Sequence, residues 1–249
     1  MGFAVFSPPR ADCYYDRTAG GLRPSRSRFW RGMVSILITA GPTREHLDDV
    51  RFLSNGSSGR MGCALAKAAK LAGHDVTLVL GPCEAAPPPD IVVWPVTSAL
   101  EMQAAAAQAF AACDIVIAAA AVSDWRPARR SSGKPPRGSD AMLLELVPNP
   151  DIVAGLAAAK GKRVVVGFAL ESVAAGMAAA IARGRRKLVG KRLDLVVVNL
   201  HDTIGSDHAQ FVLCHADGRD EALPRLDKEA AAAQVVAAAV HLCRTRDST

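Results

Sequence analysis

Short apolar runs alternate with stretches of helical spacing along most of this chain. Val34-Ser35-Ile36-Leu37-Ile38 opens the series as a β-branched run suited to a buried strand. Comparable runs follow at Asp75–Leu80, Ile91–Trp94, Asp114–Ala119, Arg163–Phe168 and Asp194–Asn199, with Phe211–Leu213 as a late edge strand. Helical patterns lie between them. Met61, Leu65, Ala68 and Ala69 share one face after the first strand, and an alanine-rich helix begins at Ser98. Asn149 as cap with Pro150 in the first helical position opens another helix. A long helix ends near Lys187, and the last covers Asp227–Cys243. The alternation predicts an α/β fold: a Rossmann-like open, mostly parallel sheet with helices on both faces.

Ligands of such sheets bind beyond the carboxyl ends of the strands. The unusual words of this chain fall there: Thr39–Asn55, Ala120–Asp124, Phe168–Glu171 and Asn199 each follow a strand. The first is a polar turn ending in Asn55-Gly56-Ser57-Ser58-Gly59 just before a helix, where free N–H groups and the helix dipole favour an anion. The plain alternative is an ordinary capped helix with Ser57 or Ser58 as the cap. Arg51 and Asn55 add a cation and an amide, which tilts the turn toward binding. Asp124–Asp140 is a polar, Pro/Gly-rich excursion, too long for a simple connection and so a candidate lid. Lys187 and Lys191 share one helix face, where a triphosphate would relieve their mutual repulsion.

Composition narrows the classes. The chain has 249 residues, 50% of them hydrophobic, enough for one full core. Of the net charge of +6, residues 1–32 carry +4, through six arginines against Asp12 and Asp16. With aromatics at 5% and no aromatic-studded basic face, nucleic acid is not an expected partner. No apolar run reaches membrane-spanning length. The cysteines and histidines are scattered without metal-ligand spacing, as in a reduced, cytoplasmic protein. Residues 1–32 lack hydrophobic periodicity. They are expected to be a disordered extension, or a stretch upstream of a true start at Met33. Residues 33–249 are then a single nucleotide-binding domain.

The words ITAGPTRE (Ile38–Glu45), VRFLSNGSSGRMG (Val50–Gly62), AAAVSDWRP (Ala119–Pro127), LVPNPDIVAGLA (Leu146–Ala157), VVGFALES (Val165–Ser172) and KLVGKRLDLVVVN (Lys187–Asn199) resemble, in order, the phosphopantothenate–cysteine ligases of coenzyme A biosynthesis. In many bacteria this ligase is fused to a flavin-dependent decarboxylase. The chain resembles a free-standing form, for which a decarboxylase would be a separate partner.

The resemblance implies an enzyme that activates the carboxylate of 4′-phosphopantothenate with CTP, or ATP, and magnesium, without flavin. The acyl-nucleotide then forms an amide with the cysteine amine. Catalysis falls by this resemblance to Asn55, which holds the acyl intermediate, and to Lys134, the lid lysine, with Arg137 as a substitute for one of the further lid lysines usual in the family. Nucleotide binding falls to Ser57, Ser58 and Gly59; to Ala118, Ala119, Ala120 and Asp124; to Asn149, Pro150, Asp151 and Ile152; and to Phe168, Lys187 and Lys191. Arg51 with Asn55 would hold the substrate. Arg51 reaches a neighbouring subunit's substrate in some members, which implies a homodimer. The stretch after Asn199 departs from the family's usual pattern.

Two other classes compete. A nucleotide-binding module that has lost catalysis is compatible with the altered lid. An NAD(P)-dependent oxidoreductase would need GxGxxG after the first strand and an acid after the second, where Gly81-Pro82 stands instead.

Overall fold

A computed structural model describes residues 32–134, 141–171, 176–200 and 208–247. The chain divides into two units, Met1–Met33 and Val34–Thr249. Among the described residues, every helix and strand lies in the second unit. The expected extension, up to residue 31, and residues 135–140 of the expected lid, with Arg137, lie outside the described residues, as do residues 201–207 after the last parallel strand.

The elements run β1 (Ser35–Ala40), β2 (Arg44–His46), β3 (Phe52–Ser54), α1 (Arg60–Leu71), β4 (Asp75–Leu80), β5 (Val92–Pro95), α2 (Ala99–Phe110), β6 (Ile115–Ala118), β7 (Trp125–Pro127), β8 (Leu146–Pro148), α3 (Ile152–Ala158), β9 (Val164–Glu171), α4 (Gly176–Gly190), β10 (Leu195–Leu200), β11 (His208–Ala209), β12 (Val212–His215), β13 (Asp220–Ala222), β14 (Leu226–Asp227) and α5 (Lys228–Asp247). Eight strands form one sheet in the order β13-β12-β10-β9-β6-β1-β4-β5. From β10 to β5 all neighbours are parallel. β12 and β13 extend the sheet antiparallel. The mostly parallel Rossmann-like arrangement expected from the apolar runs is therefore present.

Alternation along β1 builds two cores. Ile36, Ile38 and Ala40 pack with α1 and α5 on one face, while Leu37 packs with α2, α3 and α4 on the other. Continuous apolar runs form these strands because both faces are covered. On the α1 side the approach is very close: a Cβ at Gly62 would lie 2.2 Å from that of Ala40. Only glycine lets the helix sit this near β1.

Three local expectations are corrected. Phe211–Leu213 is not the edge, because β13 pairs outside β12; β13 is wholly exposed and has no apolar alternation to reveal it. Asn149 does not cap α3. Asp151 does, accepting from the Ala154 N–H at 3.1 Å, because Asn149 is drawn away to Ser123 and Arg126. Neither Ser57 nor Ser58 caps α1: its N-cap is Gly59, in the left-handed region at φ 73°, with no side-chain cap bond.

Candidate active site

From β1 the chain winds one way through β4 to β5, then crosses back to place β6 on the other side of β1. Above that reversal the connections diverge and open a crevice at the strands' carboxyl ends. A cavity of about 230 Å³ occupies this position. Thr39 of β1, Ala118 at the end of β6, and Ala120 and Val122 beyond it form its floor. Ser123, Asp124 and the Asn149–Val153 segment form one wall. Leu156 of α3, Phe168 of β9 and Lys191 after α4 complete it.

Hydrogen bonds lock that wall. Asn149 donates from Nδ2 to the Ser123 carbonyl at 2.9 Å, and its backbone N–H reaches the Asp124 carbonyl at 2.8 Å. Arg126 donates to Asn149 Oδ1 at 3.1 Å. The fully buried Thr43 accepts from the Ser123 N–H at 3.0 Å and, through its carbonyl, from the Ser54 hydroxyl at 2.7 Å. The hairpin β2–β3 is thereby tied to the loop after β6. Asn55, just beyond β3, donates from Nδ2 to the carbonyls of Ala121 and Val122 at 3.2 and 3.0 Å. Both amide hydrogens are thus spent on the rim of the crevice, and Oδ1 is the group Asn55 can offer without giving up a bond.

Three of the cations expected to hold phosphates are already paired. Lys191 lies 2.8 Å from Asp151. Lys187 lies 2.9 Å from Glu171, which also binds Arg183. Burial pushes the Glu171 pKa up, but hydrogen bonds from Lys187 and Arg183 outweigh that and hold it below the usual carboxylate value. Arg51 is fixed to Asp48, whose carboxylate also accepts the N–H groups of Arg51 and Val50. Those backbone bonds, with the guanidinium, hold the Asp48 pKa at about 2.

The crevice collects Ala118, Ala120, Asp124, Asn149, Pro150, Asp151, Ile152, Phe168 and Lys191 from the expected set. Ala119 packs toward the opposite core. Ser57, Ser58 and Gly59 do not line it. Their turn backs onto the loop after β4, where Gly59 abuts Cys83 and the Ala85 N–H reaches the Ser58 carbonyl. Lys134 is exposed on the arm that follows β7. Thr39, Thr43, Ser123 and Glu171 do not stand out as site residues in the sequence. A signal for all four exists, since Thr39 and Thr43 lie inside ITAGPTRE, Ser123 inside AAAVSDWRP and Glu171 inside VVGFALES.

Residues 32–242 match the model of the DNA/pantothenate metabolism flavoprotein C-terminal domain. The chain belongs to this family. It is 42% identical over 208 residues to the Coenzyme A biosynthesis bifunctional protein CoaBC of Vibrio cholerae, covering 81% of this chain and 51% of that protein. It is also 49% identical over 166 residues to a cysteine/cysteine sulfinic acid decarboxylase of an unknown prokaryotic organism, covering 66% and 45% respectively. The chain thus spans about half the length of these curated relatives. Among solved structures, it superposes on the C-terminal domain of a CoaBC protein with a TM-score of 0.72 and 33% identity, covering 85% of this chain and 96% of that one.

Among the described residues, no group of three His, Cys, Asp or Glu side chains is placed to hold a metal ion. No helix among the described residues is long and apolar enough to cross a membrane.

Proposed function

We propose that residues 33–249 form a phosphopantothenate–cysteine ligase domain of coenzyme A biosynthesis. The observation that carries this reading is the crevice above the β1/β6 reversal, where five of the ligase-like words meet in one cavity. Membership in a family whose relatives include coenzyme A biosynthesis proteins supports it.

The nucleotide, proposed to be CTP with ATP as the alternative, lies in the crevice, and no flavin is required. The small side chains of Ala118 and Ala120 let it approach the backbone, and the half-buried Phe168 packs on the base. Asp124 and the Asn149–Ile152 segment orient it. Lys191 and Lys187 exchange their carboxylate partners for phosphate oxygens. In the first step the 4′-phosphopantothenate carboxylate attacks the α-phosphate and pyrophosphate leaves. Lys134 neutralises the charge that builds on the phosphates, and Arg51 holds the substrate phosphate. In the second step the cysteine amine attacks the acyl carbon and the nucleoside monophosphate leaves. Asn55 presents Oδ1 at the rim, an acceptor suited to an N–H of the amine or of the substrate amide.

A homodimer is proposed as well. Val50, Phe52, Trp125, Met142 and Leu143 are exposed on or beside the hairpins β2–β3 and β7–β8, which contact each other. Leu143→Asp is expected to halve the mass seen by light scattering, and an unchanged mass refutes the placement. The proposed setting is the cytoplasm.

The deciding experiment supplies 4′-phosphopantothenate, magnesium and either CTP or ATP, with and without cysteine. Cysteine-dependent amide formation with release of the matching monophosphate establishes the ligase. Absence of pyrophosphate release with both nucleotides from folded protein favours a binding module without catalysis.

A further inference from the structure

The β2–β3 turn carries two adjacent aspartates with different tasks. Asp48 is buried and holds the turn together: it accepts the N–H groups of Val50 and Arg51 at 2.8 and 2.7 Å and the Arg51 guanidinium at 2.6 Å. The Leu47 N–H bonds the Arg51 carbonyl at 2.9 Å across the same turn. Asp49 is exposed and reaches outward to the arm that follows β7. Its Oδ1 accepts from Arg130 Nη2 at 3.0 Å, and its Oδ2 accepts the Gly133 N–H at 2.8 Å. A third bond runs in parallel, from the Ser131 N–H to the Leu47 carbonyl at 2.8 Å.

That arm has no apolar anchor. Residues 128–134 are all exposed. An exposed segment loses conformational entropy on ordering and recovers nothing from burial, so its placement depends on polar bonds to a rigid neighbour. Gly133 adopts φ +68°, a left-handed residue at which the chain turns immediately before Lys134. The bond from Asp49 lands on the N–H of this turning residue, one position from the lysine.

We propose that Asp49 is the positioning residue for Lys134, clamping the arm by its bonds to Arg130 and the Gly133 N–H. The same turn fixes Arg51 through Asp48, so the cation for the substrate phosphate and the cation for the nucleotide are held by neighbouring carboxylates. The proposal rests on the ligase reading, in which Lys134 serves the first half-reaction.

The test compares D49A, D49N, K134A and the double variant D49A/K134A in acyl-nucleotide formation without cysteine. D49A is expected to slow this step about tenfold, as a small misplacement of a charged group does, with the nucleotide KM changed less than about twofold. D49N keeps an acceptor for the Gly133 N–H and is expected to recover part of the rate. The double variant is expected to be no slower than K134A, because the clamp has no other cargo. Hydrogen exchange at the Gly133 amide is expected to accelerate in D49A. An unchanged rate in D49A, additive losses in the double variant, or unchanged exchange at Gly133 overturns the clamp. Wild-type protein that forms no acyl-nucleotide overturns the ligase reading itself, and with it the role of Asp49; active wild type beside an unaffected D49A overturns the positioning alone.

Discussion

Glycine to alanine should act with opposite signs at two helical positions of this protein. At Gly62 in α1, an added Cβ would meet the Ala40 Cβ at 2.2 Å and the Ala40 Cα at 3.0 Å. Carbon atoms in contact prefer about 3.5–4.0 Å, so the N-terminal turn of α1 must retreat from β1 by about 1.5 Å. Neither side can yield alone: Ala40 belongs to a strand bonded on both edges, and Ala64, Leu65 and Ala66 of α1 are buried in the same core. Overpacking of this kind costs about 3 kcal/mol, the upper part of the usual range. For a chain of this size each kcal/mol moves the midpoint about 2–4 °C, so Gly62→Ala should melt about 6–12 °C lower. At Gly155 in α3, an added Cβ meets nothing within 4 Å, and the residue is exposed. There the alanine only removes backbone freedom from the unfolded chain and should stabilise by about 0.5–1 kcal/mol. Thermal unfolding followed by circular dichroism compares the two variants directly. Shifts in the same direction, or a Gly62→Ala midpoint at the wild-type value, would refute the close approach of α1 to β1.

Three further outcomes are expected. Burial and the nearby Arg244 hold the His74 pKa below its ordinary 6.5, so the folded state binds this proton less readily than the unfolded one. Stability should therefore be complete above pH 6.5 and decline as pH falls toward the folded pKa, and urea midpoints of His74→Gln across that window should lack this component. Asp194, buried, binds Lys160 at 2.6 Å, Arg246 and the Val165 N–H at 2.8 Å; Asp194→Ala should cost about 2 kcal/mol in denaturant titration, less than a fully buried pair because Arg246 stays partly solvated. Lys191→Ala should weaken nucleotide binding about tenfold by calorimetry, with a smaller loss at high salt, and equal affinity at all salt concentrations would remove Lys191 from the phosphate site.

Much of the scaffold is legible in the chain alone. A parallel strand covered on both faces must be apolar at nearly every position, and β1, β4, β6, β9 and β10 announce themselves in this way. The words that come after them sit at carboxyl ends by necessity of the chain direction, so the crevice can be anticipated from spacing. The short hairpins are not legible. β2, β3, β7 and β8 have three residues each, too few for an alternating pattern. They exist because Thr43, Ser54, Ser123 and Asn149 bond across segments far apart in the chain.

The same division runs through the site. The sequence by itself determined which residue types stand at the strand ends: small at Ala118 and Ala120, aromatic at Phe168, cationic at Lys187 and Lys191. Only the tertiary structure decided their partners. Whether Asn149 or Asp151 caps α3 turned on the pull of Ser123 and Arg126. That Lys191 meets Asp151 and Lys187 meets Glu171 turned on how α3 and α4 sit beside β9. That Asn55 spends its amide hydrogens on Ala121 and Val122 turned on the docking of β3 against the loop after β6. Local pattern fixes what a residue can do; pairing across many tens of residues depends on register and packing, which no local window of the chain contains.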